Sequence, residues 1–270
     1  RIFAGIETMA REMGYDWRRE EIGDPVRVPL QNYVAPNPSL AGGVILYGTF
    51  DERYMSMFRS ENVPLVVVDY MTHDTTTDCV TVDIEGEAFA LVDYLAGHNH
   101  ASLGFIALGR LDRQRQVQEY DPDIQRMLDS LRRAAQRQRM EIRDEWILQV
   151  PTTKHLRHVV KGYLTTQPRA TALVCFESEA AAVVLEAAKG LSLRCPRDFS
   201  LVARGERDIK GYRVTSLINQ PAEMGAMAVR LLAERMYGLR SQAVKLMLSS
   251  KLTPGESSGP APRLPGSPQA

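Results

Sequence analysis

Pro64-Leu65-Val66-Val67-Val68-Asp69 decides the fold class. Its middle is apolar at every position, so it does not read as a strand with one wet face. A strand that is apolar on both faces belongs in a parallel sheet covered by helices on each side. Runs of the same kind recur outward from it. Gly42-Gly43-Val44-Ile45-Leu46-Tyr47-Gly48 lies before it, and Val80-Thr81-Val82-Asp83 and Leu103-Gly104-Phe105-Ile106-Ala107-Leu108 lie after it. Residues 145–149, 172–176, 199–203 and 214–217 extend the series. Between these runs the apolar spacing changes to the helical period, over residues 2–13, 85–95, 124–140, 154–166, 179–189 and 222–237. Strand and helix therefore alternate, which predicts βαβ units and doubly wound parallel sheets. There are more strands than one compact sheet carries, so the chain is expected to form two.

The 270 residues are 44% hydrophobic and 24% charged, an ordinary globular mix. Lys and Arg number 33 and Asp and Glu 33, giving a formal net charge of zero. Phosphate binding needs an excess of cations, so the balance argues against a nucleic-acid reader within these residues. No apolar run reaches the length of a membrane span. Cys79, Cys175 and Cys195 are odd in number and widely spaced, as expected of a reduced, cytoplasmic chain rather than a disulfide framework. Residues 254–270 are dense in Pro, Gly and Ser. They are expected to form a tail without a fixed structure.

Catalytic signatures are nearly all missing: there is no phosphate loop, no G-x-G-x-x-G, no H-E-x-x-H and no C-x-x-C. Gly255-Glu256-Ser257-Ser258-Gly259 matches G-x-S-x-G, but it lies in the Pro-rich segment rather than on a strand-to-helix turn, so no enzyme is expected. The pairs His98/His100 and His155/His158 lack nearby carboxylates or thiols to complete a metal site. Neither a metal nor a cofactor is expected. Arg132, Arg133, Arg137, Arg139 and Arg143 alternate with apolar helix positions and read as a solvated face. Trp146 reads as core.

Several stretches together resemble the effector-binding core of LacI/GalR-type transcriptional regulators, which has a periplasmic-binding-protein-like fold of type I. They are Gly5-Ile6-Glu7 with Ala10-Arg11-Glu12-Met13-Gly14-Tyr15, Val63 to Asp69, and Val82-Asp83 with Gly86, Ala90 and Tyr94-Leu95. His100 to Ile106, Ala172 to Phe176 and Cys195 to Val202 follow. The series ends with Gln220-Pro221, Met224-Gly225, Leu231-Leu232 and Ser257-Ser258-Gly259-Pro260. The resemblance implies two α/β lobes joined by a three-strand hinge. The amino-terminal lobe is expected to hold residues 1–107 and 218–240, and the carboxy-terminal lobe 108–217 and 241–258. Residues 259–270 are left as a disordered tail. It further implies a small-molecule effector, a sugar or related metabolite, held between the lobes, with closure controlling operator DNA through an amino-terminal head that this chain lacks. It also implies a homodimer. A solute-binding protein of a transporter shares the fold and is the alternative.

The resemblance places the effector-binding positions at Tyr47, Glu85, Asp123, Ser178, Glu179, Arg204, Glu206 and Gln220, and several depart from the family pattern. Asp123 stands near the place of the family's clamp arginine. Ser178-Glu179 replaces Asn-Asp, and Ala203-Arg204-Gly205-Glu206 keeps only the second acid. Arg204 either brings a positive charge that favours an acidic ligand or pairs with Glu206 or Asp208. A third reading is a degenerate site, answering to a protein or to nothing. Tyr47 and Thr49 follow a strand and face either the cleft or the core. Glu85, Glu177 and Glu179 also suit the positive ends of helix dipoles.

Overall fold

The computed structural model describes residues 1–20, 41–48, 52–60, 62–109, 122–166 and 169–262. In chain order the elements are α1 (Ile2–Glu12), β1 (Val44–Tyr47), α2 (Glu52–Ser60), β2 (Leu65–Val68), β3 (Asp78–Val82), α3 (Ile84–Gly97) and β4 (Leu103–Leu108). These are followed by α4 (Pro122–Gln138), β5 (Ile147–Val150), α5 (Thr153–Thr165), β6 (Ala172–Cys175), α6 (Ser178–Gly190) and β7 (Ser200–Arg204). A short hairpin of β8 (Asp208–Ile209) and β9 (Tyr212–Arg213) leads to β10 (Thr215–Ile218), α7 (Pro221–Met236), β11 (Lys245–Leu248) and β12 (Lys251–Thr253). The apolar periods of the sequence do not mark α2, the hairpin, β11 and β12. Each is short or half-polar, so its apolar period is weak.

The chain divides into two compact units: Arg1–Asp83 with Asn219–Ser249, and Ile84–Ile218 with Ser250–Ala270. It passes from one to the other three times. The first and third passages fall at 83/84 and 249/250, where the sequence suggested 107/108 and 240/241. Residues 84–107 fall in the second unit because α3 packs on α4, and β4 is hydrogen-bonded between β5 and β6. Residues 241–249 fall in the first because β11 pairs with β3.

The first unit has the sheet β1-β2-β3-β11, parallel throughout. Side chains alternate across a strand, and this sorts the core into two layers. Val66, Val68, Val80 and Val82 pack with α1 (Ile2, Ile6, Met9) and α7 (Met224, Ala228). Leu46, Leu65, Val67 and Cys79 face the other way, onto Met55 and Phe58 of α2. At the amino end of β3, Asp78 is fully buried between Arg235 at 2.9 Å and Arg240 at 2.7 Å, and accepts the amide of Val244. Burial by itself raises this carboxyl, but the bonds from Arg240 and Arg235 outweigh it and hold the pKa below the ordinary value.

The second unit has the sheet β12-β10-β7-β6-β4-β5, parallel except for the edge strand β12. Phe105, Val174 and Val202 point to α3 and α4. Ile106, Leu173, Cys175 and Leu201 point to α5 and α6, in a cluster that also takes in Trp146. Helices cover both faces, as the apolar runs required. The arginines of α4 and its flank pair in solvent: Arg132 with Asp144, Arg133 with Glu85, Arg143 with Glu141.

The expected tail begins too early in the sequence reading. Residues 254–262 are ordered by polar bonds rather than apolar burial. Ser257 is fully buried, its hydroxyl accepting from the amide of Thr215 and donating to the carbonyl of Leu201. Gly259 donates its amide to Ser200 Oγ, and the Ala261 amide donates to the carbonyl of His98. Residues 263–270 lie outside the described residues.

Candidate functional site

Open parallel sheets offer ligands the loops at the carboxyl ends of their strands. In the first unit that edge carries Tyr47, Asp69 and Asp83. Tyr47 meets Phe3 edge-on at 5.5 Å between ring centroids, and the guanidinium of Arg19 lies 4.3 Å over the other side of the pair, on Phe3. The Tyr47 ring is 42% exposed, and partial burial together with the nearby Asp69 raises its phenol pKa. Gln220 is the residue before α7, exposed, with no side-chain bond to the helix end. Thr49 lies outside the described residues.

In the second unit the carboxyl edge is built around a buried ion pair. Val202 and Arg204 lie two apart on β7, so Arg204 leaves the sheet on the α3 side. There its Nε donates to Glu87 Oε2 at 2.7 Å. The Glu87 side chain is only 1% exposed and that of Arg204 17%. Ser250 Oγ donates to the other carboxylate oxygen. The guanidinium also lies 4.8 Å from the ring centre of Phe176. The partner of Arg204 is thus Glu87, not Glu206 or Asp208 as one reading of the sequence had it. The alternation along β7 turns Arg204 towards α3. Among the described residues, the terminal Nη groups of Arg204 donate to no protein atom.

The neighbouring positions sort themselves around this pair. Gly205 follows it with φ +104°, a conformation that strains any residue with a side chain, and a Cβ built there would lie 3.3 Å from Ser178 Oγ. Ser178 therefore shares the edge with Arg204. Glu177 precedes α6 but makes no cap. Its carboxylate instead accepts the amide of Leu108 at 3.1 Å, tying the end of β4 to the start of α6. Glu179 and Glu206 are exposed. Glu85 is exposed and pairs with Arg133 at 3.1 Å. Asp123, where the resemblance leads one to look for a cation, pairs with Arg126 at 2.9 Å within the first turn of α4.

Glu87 and Phe176 were not singled out from the sequence. Glu87 carries a readable signal: it lies three residues after Ile84 and four before Leu91, on the buried stripe of α3. A charge in that register needs a partner. Among the described residues no group of three or more His, Cys, Asp or Glu is arranged to hold a metal. His98 Nδ1 bonds the carbonyl of Tyr94, and His155 Nδ1 bonds Thr152 Oγ1 at the amino end of α5. No helix among the described residues is long and apolar enough to cross a membrane.

Comparison with known proteins adds the following. A family model described as a periplasmic binding protein-like domain matches residues 92–258. An arabinose metabolism transcriptional repressor from Geobacillus stearothermophilus is 25% identical over 86% of this chain and 65% of its own length. The transcriptional repressor PurR of Serratia proteamaculans is 24% identical over 78% of this chain and 61% of its own length. The chain thus spans somewhat under two thirds of these relatives, which are repressors and not enzymes. The transcriptional regulator CelR, solved with cellobiose, has the same fold, with a TM-score of 0.76 at 20% identity over 95% of this chain and 77% of that one.

Proposed function

The chain belongs to the periplasmic binding protein-like domain family and corresponds to the effector-binding core of LacI-type regulators; on that premise we propose that it senses a small polar metabolite and transmits its presence to DNA. The observation that carries this reading is the Arg204 guanidinium. It is anchored by Glu87 on one side and floored by Phe176, and its Nη fork is left for a ligand at the carboxyl edge of the second sheet. Such an anchored fork is a preorganised donor of two parallel hydrogen bonds. Relatives whose names speak of arabinose and cellobiose support a sugar as the effector class.

In the proposed mechanism Arg204 and Ser178 hold the ligand from the second unit, and Tyr47 and Gln220 hold it from the first. Glu179 and Glu206 act at its rim, while Glu85 and Asp123, already paired, contribute through their helix ends. Closure of the units on the ligand changes the spacing of two DNA-reading heads in a homodimer in the cytoplasm. A ligand shifts that equilibrium only by its differential affinity for the two arrangements, typically about 1–3 kcal/mol. A second copy has an apolar surface to meet on the first unit. Met13 and Trp17, which follow α1, and Tyr237 and Leu239, which follow α7, are exposed.

The test uses the full-length product of the gene. Its affinity for operator fragments from its own promoter region should change by at least about fivefold when the binding sugar is added. A protein that binds the sugar yet holds DNA with unchanged affinity, or that binds no DNA, removes this function.

A further inference from the structure

Glu87 is fully buried, charged, and not itself placed against a ligand; its carboxylate is spent on Arg204 and Ser250. This deepens the proposed effector-sensing function and rests on it. A bare guanidinium at a ligand edge favours carboxylates and phosphates, because charge attraction adds to the fork geometry. Here the charge is already met at 2.7 Å, and both partners are largely out of water. What remains for a ligand is a neutralised fork, rich in hydrogen-bond donors but poor in net charge. A ligand carboxylate placed on it would leave two anions around one cation that is largely out of water. The other acids at this edge, Glu177, Glu179 and Glu206, add to that repulsion. A neutral ligand with two adjacent hydroxyls meets the same fork without it.

We infer that Glu87 is a specificity-determining residue: by balancing Arg204 it sets the site to take a neutral polyhydroxy compound and to reject the corresponding acid. Glu87 acts through Arg204, so it is a positioning and charge-setting residue rather than a contact.

The experiment measures affinity and thermal shift for this chain with pairs that keep the ring and differ at C6, glucose with glucuronate and galactose with galacturonate, and with arabinose and cellobiose as further neutral sugars. The natural chain should bind at least one neutral member and reject its acid by roughly tenfold or more. Glu87→Gln keeps the size and the bond to Ser250 while freeing the cation, and should move the ratio towards the acid by about tenfold. Arg204→Lys keeps the charge but loses the fork, and should weaken the neutral sugar. It carries the test independently should Glu87→Gln fail to fold. Preference for an acid in the natural chain, or an unmoved ratio in Glu87→Gln, overturns the inference while leaving effector sensing intact. Binding of none of these compounds removes both.

Discussion

At the scale of the residue, His100 shows how polar groups hold the carboxy-terminal segment. Its Nδ1 meets Thr171 Oγ1 at 3.0 Å, and its Nε2 lies 3.0 Å from Ser200 Oγ and 3.1 Å from the carbonyl of Gly259. Burial lowers its pKa, outweighing the opposing bond to the Gly259 carbonyl, and the neighbouring His98 adds to the lowering. The folded state therefore needs neutral imidazole. Its contribution is complete above the unfolded value of about 6.5 and declines as the pH falls below it. Urea midpoints at pH 7.5 and 5.5 should drop more for the natural chain than for His100→Gln; equal drops would show that His100 is not the titrating group. The same scale shows the reach of sequence reading. Arg204 was visible as a candidate through the family resemblance, in the stretch Ala203-Arg204-Gly205-Glu206. Its partner was not, because 117 residues separate it from Glu87. Polar burial misled in the same way at Ser257, where a Pro- and Gly-rich stretch is ordered by bonds to β7 and β10 that composition does not reveal.

At the scale of the element, the contact of α1 with α7 depends on two missing side chains. A Cβ on Gly5 would lie 1.8 Å from the carbonyl oxygen of Ala222, and one on Gly225 would lie 2.3 Å from that of Ile2. These are backbone atoms that cannot swing aside. Gly225→Ala should push the helices apart and cost about 1–3 kcal/mol, read as a lower denaturation midpoint. An unchanged midpoint would mean that the helices are not packed this closely. Both glycines stand in stretches that carried the family resemblance, and the close approach is a physical reason for them. The strands were readable because their apolar runs are complete on both faces. β11, one of the elements passed over, has mixed polarity and gains its order from pairing with β3, which is distant in sequence.

At the scale of the whole molecule, three passages of the chain join two separately cored units. α3 and β4 continue the strand–helix rhythm of the first unit without a break, and only their packing assigns them to the second. The central claim, proposed above, is that a binding sugar is held by Arg204 and Ser178 of the second unit and by Tyr47 and Gln220 of the first. Hydrogen exchange of the chain with and without a binding sugar tests it most directly. Joint protection is expected of segments 46–48 and 66–69 in the first unit and of 176–178 and 203–206 in the second. Protection confined to one unit, or falling away from these strand ends, would contradict it.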